Sequence, residues 1–314
     1  MTESVAASVP VALSTAQTEE TFSLARYEAT VQGRSLYLGP RANADLRKCI
    51  IEYYGIGEIV DYLRKNQQFQ NITLQFPDFL VQDSSLVTQC LQDTLLIPKE
   101  DVSEQERKFW ILADTAYSAC CVDEVASEHV KADIIIHFGD ACLNPIKSLP
   151  VVYSFGRPYL DLDKIVHRFR EIYNDKSSPV CLMADAPHSA NMRLLGEALK
   201  EDGYKNLVYA LIDSDFSNEK CVILQQDPVP ITDRKLYTLG NRAIYATGKH
   251  QSILDESALQ EEYDLFHVTL PQDPHLLFLT TKFKSVALYD TKSDTVRQGP
   301  FPSLMKRYKF MHVA

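Results

Sequence analysis

Short apolar segments alternate with amphipathic segments through the first half of the chain. Apolar residues recur at helical spacing over residues 55–65, whereas residues 71–76 alternate between polar and apolar as a half-buried strand does. The pattern predicts helices over residues 55–65, 84–92 and 120–131, and strands over residues 71–76, 109–113 and 133–138. Apolar strands separated by helices are typical of a parallel sheet with helices on both faces.

The same order of helix and strand begins again after a break near residues 150–158. The spacing predicts helices over residues 162–174 and 190–200, strands over residues 180–184 and 207–212, and a hairpin of residues 283–288 and 295–297. The two halves share this pattern rather than identical residues, so we interpret them as two copies of one α/β unit.

We therefore predict the α/β fold class, with repeated parallel-sheet domains that carry helices on both faces. Residues 1–34 lack clear periodicity and are predicted to form a disordered tail. Residues 35–155 form the first predicted domain and residues 156–299 the second. Residues 302–314 resemble the opening of a helix, so residues 300–314 are interpreted as the start of a third domain that the chain does not complete.

Net charge and cysteine content make several classes of protein improbable for this sequence. The 314 residues include 32 Lys and Arg against 42 Asp and Glu, a net charge of −10, which disfavours binding to nucleic acid or anionic membranes. No Lys or Arg precedes Arg26 and no apolar run reaches about 18 residues, so neither a signal peptide nor a membrane helix is expected. Seven scattered cysteines do not resemble a secreted disulfide framework and favour a cytoplasmic protein.

Several common enzyme motifs are missing from the sequence. Gly248-Lys249 is followed by His250, so the phosphate-binding P-loop is not present, and neither H-E-x-x-H nor G-x-S-x-G occurs. Gly55-Ile56-Gly57 lacks the third glycine of a dinucleotide-binding fingerprint and is better explained as the entry to a helix. The candidate chemistry therefore lies in the cysteines.

Three cysteines flank the strand predicted over residues 133–138. Cys120 and Cys121 lie in the preceding loop or the first turn of its helix, and Cys142 lies just beyond the strand. Loops that leave the carboxyl ends of neighbouring parallel strands gather at one edge of the sheet, so we expect these cysteines to converge although 21 residues separate Cys121 from Cys142. A helix N-terminus is expected to lower the thiol pKa there and to favour an anionic cluster.

Different interpretations of the cysteines remain open on chemistry alone. Buried small hydrophobic residues are the simplest interpretation of the remaining four, which are Cys49, Cys90, Cys181 and Cys221. Zinc would need a fourth ligand besides the three clustered cysteines, and His137 at the same edge is a candidate. An iron–sulfur cluster held by three cysteines would leave one iron open for a substrate. Spacing does not decide between the two.

The cysteine segment resembles the diphthamide synthesis family, in which D-x-x-Y-x-x-C-C-V-D recurs between a strand and a helix. The copy in this chain is Asp114-Thr115-Ala116-Tyr117-Ser118-Ala119-Cys120-Cys121-Val122-Asp123-Glu124. Its extension resembles the second eukaryotic subunit more than the first, through Glu128-His129-Val130, His137-Phe138-Gly139, Ala141-Cys142-Leu143, residues 151–156 and residues 307–314. The similarity spans roughly residue 35 to the end of the chain.

The resemblance implies three similar α/β domains around a [4Fe-4S] cluster. The implied complex transfers a 3-amino-3-carboxypropyl group from S-adenosylmethionine to a histidine of elongation factor 2, through radical chemistry that breaks a sulfonium C–S bond. It implies a heterodimer in which the first subunit carries the catalytic cluster. The second subunit binds its own cluster and helps to keep the catalytic one reduced, with a small zinc-ribbon protein and a reductase as electron donors.

The family motif takes its ligands from the Cys-Cys loop and from the cysteine after the next strand. We favour Cys121 with Cys142 as ligands and Cys120 as a neighbour of undetermined role, with a third ligand expected from the third domain. A chain that ends at Ala314 is then expected to hold the cluster poorly alone. Two alternatives are a cluster-free interaction subunit and a structural zinc protein that uses the three cysteines with His137.

The same motif holds polar residues that are expected to orient the loop. Asp114, Tyr117 and Asp123 are candidates for hydrogen bonds that position the cysteines. Capping of the following helix by Ser118 explains that turn equally well.

Overall fold

The computed structural model of the chain describes two packed sheets with their helices. The described residues are 34, 37–39, 45–97, 107–112, 119–213, 215, 220–225, 227–247 and 254–302. The predicted tail (apart from Arg34), the motif residues Asp114, Tyr117 and Ser118, and residues 303–314 of the predicted terminal helix lie outside these ranges.

The described segments contain twelve strands and eight α-helices. The strands are β1 (Asn71–Gln75), β2 (Lys108–Leu112), β3 (Ile134–Phe138), β4 (Val151–Ser154), β5 (Val180–Ala184), β6 (Leu207–Ile212), β7 (Cys221–Ile223), β8 (Asp233–Leu239), β9 (Arg242–Thr247), β10 (Asp264–Val268), β11 (Ser285–Asp290) and β12 (Thr295–Gln298). The helices are α1 (Leu46–Tyr54), α2 (Ile56–Lys65), α3 (Ser84–Leu95), α4 (Glu124–His129), α5 (Leu162–Ile172), α6 (Asn191–Glu201), α7 (Glu256–Glu261) and α8 (Asp273–Lys282), with a 3-10 turn over Asp78–Asp83.

The first sheet is parallel throughout, with the strand order β2-β1-β3-β4-β7. Helices α1, α2 and α3 cover one face, where Ile72 and Leu74 of β1 and Ile136 of β3 pack into a fully buried core. The opposite face carries α4, whose Ser127 is hydrogen-bonded by the Thr73 hydroxyl at 3.0 Å. Strand β1 lies between β2 and β3, so the next two strands of the chain pair with opposite edges of β1.

The second sheet has the order β12-β11-β10-β5-β6-β9-β8. Its four central strands are parallel, whereas β12, β9 and β8 pair antiparallel at the two edges. Helices α5 and α6 pack on one face through Phe169 and Leu195, and α7 and α8 pack on the other through Leu259 and Leu279. No helix in the described ranges is both long and apolar enough to cross a membrane.

The α/β fold class is confirmed, including helices on both faces of each sheet and the hairpin β11–β12. The predicted helix over residues 120–131 is wrong at its start, because α4 begins only at Glu124, where the Asp123 carboxylate accepts a hydrogen bond from the Ala126 amide at 2.9 Å. Strand β7 belongs to the first sheet although it lies within residues 156–299. The boundaries at residues 155 and 299 stay a prediction, because the strand order alone does not define separate domains.

A buried carboxylate joins three parts of the first unit. Asp83 is fully buried at the end of the 3-10 turn and accepts hydrogen bonds from the Arg34 guanidinium at 2.6 Å, the Tyr37 hydroxyl at 2.5 Å and the Tyr54 hydroxyl at 2.9 Å. Removing one partner of a buried ion pair leaves the other charge without compensation. Asp83 therefore connects Arg34 and Tyr37, which precede α1, to Tyr54 in the core.

We predict that Asp83→Asn lowers the free energy of unfolding by about 3 kcal/mol, since it leaves the largely buried Arg34 without its counter-charge. Asp93→Asn is the matched control, because the Arg47–Asp93 pair has the same 2.6 Å separation but both side chains are nearly half exposed. Loss of that pair is expected to cost less than about 1 kcal/mol. Urea unfolding measures both, and equal losses would contradict the role given to Asp83.

Candidate metal centre

The structure brings the three motif cysteines together at the carboxyl edge of the first sheet. Cys120 and Cys121 lie in the turn before α4, and Cys142 follows β3. Their three sulfur atoms all lie within 4.8 Å of one another, with the Cys121 and Cys142 Sγ atoms 3.8 Å apart. The Cys142 amide also donates a hydrogen bond to the Cys120 carbonyl oxygen at 3.0 Å, so the two loops are joined by backbone as well as by sulfur.

The three clustered thiols are only half-buried, which leaves them accessible from outside the sheet. Cys90 and Cys181 are fully buried among apolar side chains, as expected for small hydrophobic residues. The remaining two, Cys49 and Cys221, are half-buried. Among the described residues, the three motif cysteines form the group of side chains whose ligand atoms lie close enough to share a metal ion.

The thiols differ from expectation in their acidity. Burial raises the pKa of Cys121, and the hydrogen bond with Cys120 together with burial raises the pKa of Cys142 well above its ordinary value. The expected lowering by a helix N-terminus is wrong, because α4 begins three residues after Cys121 and the Asp123 carboxylate caps it. The raised pKa values favour the protonated thiols of Cys121 and Cys142 when no metal is bound, so metal binding must displace these protons.

His137 does not join the cysteine group. Its ring is fully buried, with Nε2 3.0 Å from the Asp140 carbonyl oxygen and the ring centroid 5.5 Å from that of Tyr153. Burial lowers the pKa of His137 to about 4, so the imidazole is neutral at physiological pH. The structure thus gives no support to His137 as the fourth ligand of a zinc site.

Polar residues that the sequence analysis did not single out line a cavity of about 570 Å³ beside Cys120 and Cys142. The Asp140 carboxylate accepts a hydrogen bond from the Ala186 amide at 3.0 Å, which connects the loop after β3 to the loop after β5. Burial and the neighbouring Asp185 raise the pKa of Asp140 to about 6. Asp140 and Asp185 each follow a buried strand, and an acidic residue in that position is the signal that was missed.

The same cavity has a buried cation in its wall. The Arg242 side chain lies against the carbonyl oxygen of Ala184, and its Nε atom has no hydrogen-bond partner among the described residues. His267, also buried in the wall, has an Nε2 atom without a partner among those residues. Two buried polar atoms without partners among the described residues make this cavity more polar than an ordinary gap between packed sheets.

Comparison with known protein families gives a match over most of the chain. The family model of diphthamide synthesis proteins matches residues 76–314, a range that contains all three clustered cysteines. The chain belongs to the diphthamide synthesis family. The expectation raised by the D-x-x-Y-x-x-C-C-V-D segment is thereby confirmed.

Relatives within the diphthamide synthesis family carry the name 2-(3-amino-3-carboxypropyl)histidine synthase subunit 2. The protein of this name from Candida glabrata is 47% identical over 308 residues, covering 98% of this chain and 55% of that protein. The one from Kluyveromyces lactis is 47% identical over 344 residues, covering 98% of this chain and 57% of that protein. The chain spans about half the length of these curated relatives.

Solved structures share the fold. Two crystal structures of Dph2 from Pyrococcus horikoshii, the second determined with a 4Fe-4S cluster, superimpose with a TM-score of 0.53. Their sequence identities are 13% and 12%, and the matches cover 81% and 80% of this chain and 63% of those chains. At this identity the likeness concerns the α/β architecture alone.

We predict that His137→Leu reduces the loss of stability in acid. The imidazole has a pKa of about 4 in the folded chain against an ordinary value of 6.5, so the unfolded chain binds the extra proton first. Above about pH 6.5 the ring is neutral in both the folded and the unfolded chain, so it adds no pH dependence. As the pH falls from 6.5 toward 4, the free energy of unfolding decreases by as much as about 3 kcal/mol.

The measurement is the free energy of unfolding between pH 4.5 and 7.5, with His167→Leu as control because His167 is exposed. The free energy of unfolding should depend less steeply on pH in His137→Leu. In His167→Leu its pH dependence should equal that of the unaltered chain. Identical slopes in all three proteins would show that His137 is not held neutral by burial.

Proposed function

We propose that the chain belongs to a subunit of the diphthamide transferase and that its cysteines hold a [4Fe-4S] cluster. The single observation that carries this proposal is the convergence of three thiols from two separate loops, with sulfur atoms within 4.8 Å. The proposed ligands are Cys121 and Cys142, and Cys120 lies close enough to serve as a third. Family membership supplies the reaction in which such a site would take part.

The donor chemistry fits an iron–sulfur cluster. Thiolate ligands are the set that iron–sulfur clusters use, and no carboxylate or imidazole of the described residues joins the three sulfurs. A closed structural zinc site would require a fourth ligand, which the described residues do not bring to the group. The half-buried position of the thiols also leaves the site open to an electron donor or a partner subunit.

The proposed reaction is transfer of a 3-amino-3-carboxypropyl group from S-adenosylmethionine to a histidine of elongation factor 2. In that reaction a reduced cluster would supply the electron that breaks the sulfonium C–S bond, and we propose that this step belongs to the first subunit of a heterodimer. The role of this chain is to support reduction of the partner's cluster, with a zinc-ribbon protein and a reductase as donors in the cytoplasm. The subunit names of its relatives support assembly with a partner.

The proposal is tested on the full-length protein co-expressed with the first subunit and reconstituted anaerobically with iron and sulfide. We predict broad visible absorption from thiolate–iron charge transfer and bound iron, both lost from this subunit in the double variant Cys121→Ser/Cys142→Ser. Cys49→Ser is the matched control, since Cys49 is also half-buried but lies on α1 outside the cysteine group. Iron and sulfide are quantified together with transfer to elongation factor 2.

The other outcomes of this experiment separate the alternatives. A double variant that keeps the iron of this subunit would overturn the ligand assignment. A double variant that assembles with the first subunit and retains full transfer activity would favour a cluster-free interaction subunit. Stoichiometric zinc in place of iron in the unaltered protein would favour a structural zinc site.

A further inference from the structure

Two side-chain amides hold the backbone of the two cysteine loops. The Gln75 amide donates a hydrogen bond to the Cys121 carbonyl oxygen at 2.7 Å, and the Asn241 amide donates one to the Cys142 carbonyl oxygen at 3.1 Å. Gln75 belongs to the first sheet and Asn241 to the turn between β8 and β9 in the second. The cysteine group is therefore supported from both sheets.

The position of Gln75 follows from the strand order. The chain enters the Cys120–Cys121 loop from β2 and the Cys142 loop from β3, and β1 lies between these strands. The two loops must therefore meet over the carboxyl end of β1, which is where Gln75 stands. Its buried side chain fills this place with a group that both donates and accepts hydrogen bonds.

Gln75 acts on the loop in the way that a neighbouring strand would. Its Nε2 donates to the Cys121 carbonyl oxygen while its Oε1 accepts from the Asp123 amide at 3.0 Å, so one side chain bridges two peptide groups on either side of Val122. Asp123 in turn caps α4. The Cys121 backbone is thereby joined to both β1 and α4.

Asn241 is held with its amide pointing at the Cys142 loop. It follows Gly240, whose φ of 59° lies in the left-handed region that suits glycine in a two-residue hairpin turn. The Asn241 carbonyl oxygen accepts from the Asp213 amide at 3.0 Å, and its side-chain Oδ1 accepts from the Arg242 guanidinium at 3.2 Å. With the oxygen engaged by Arg242, the NH₂ group faces Cys142.

We propose that Gln75 and Asn241 are positioning residues that hold the two cysteine loops so that the Cys121 and Cys142 sulfurs can ligate one metal centre. The inference rests on the proposed function for the identity of that metal, but the positioning itself concerns the thiols. Residues that orient metal ligands typically change metal affinity about 10- to 100-fold when they are removed. Each residue bonds to a cysteine carbonyl oxygen, so each acts on the thiol through the backbone.

The test uses the iron-free full-length chain and Co²⁺ as probe, because thiolate-to-cobalt charge transfer reports sulfur ligation directly. We expect Gln75→Met and Asn241→Ala each to weaken Co²⁺ binding about 10- to 100-fold. Gln260→Met and Asn206→Ala are matched controls, since these amides also donate to backbone carbonyl oxygens, of Thr281 at 2.9 Å and Ser177 at 2.6 Å, away from the cysteines. The controls should bind as the unaltered chain does.

A second measurement distinguishes loss of ligand positioning from a general loss of stability when the buried Gln75 is replaced. After anaerobic reconstitution, the reduction potential of the cluster should shift in Gln75→Met and Asn241→Ala but not in the controls, because potential depends on ligand geometry and solvent access. Co²⁺ affinity and potential that match the unaltered chain in both variants would overturn the positioning role. So would Co²⁺ binding by the unaltered chain that is no tighter than in Cys121→Ser/Cys142→Ser.

Failure of this inference and failure of the proposed function are distinguishable. If the unaltered protein takes up no iron, yet Gln75→Met and Asn241→Ala still weaken Co²⁺ binding, the positioning role stands and the cluster proposal falls. If iron is bound but the two variants leave Co²⁺ affinity and potential unchanged, the cluster proposal stands and the positioning role falls.

Discussion

A backbone hydrogen bond from the Cys142 amide to the Cys120 carbonyl oxygen joins two loops that follow different strands. Neighbouring strands in a sheet lie about 4.8 Å apart, so β2 and β3 on either side of β1 are separated by about twice that distance. The loops must cross the end of β1 before their thiols can share a metal. The parallel strand order brings the loops to one edge, and this bond with the Gln75 bridge brings them together there.

Much of the parallel framework was predictable, because buried strands and amphipathic helices have distinct periodicities. The segments that became β3, β5 and β6 are short apolar runs, and β1 alternates between polar and apolar residues. The meeting of the cysteine loops follows from the carboxyl-edge rule for parallel sheets. Strand β7 has three residues, too few to show a period. Strand β8 has a register irregularity between Lys235 and Tyr237 and little burial, so its alternation is broken.

The polar environment of the cysteines was less predictable than their convergence. Gln75 ends a strand in which polar and apolar residues alternate, and nothing in its neighbours along the chain indicates that its amide turns toward Cys121. Asn241 lies about 100 residues from Cys142, and only the packing of the second sheet against the first brings them into contact. The thiol acidity was mispredicted because burial raises the pKa of Cys121, because the hydrogen bond with Cys120 and burial raise that of Cys142, and because α4 begins only beyond the cysteines.

The most direct measurement of the central claim is the position of iron in crystals of the anaerobically reconstituted full-length protein, located by anomalous scattering at the iron absorption edge. We expect iron within bonding distance of the Cys121 sulfur and of the Cys142 sulfur, at the edge of the first sheet where β1 and β3 end. An iron peak elsewhere, or none at this edge in protein whose thiols are reduced, would contradict it.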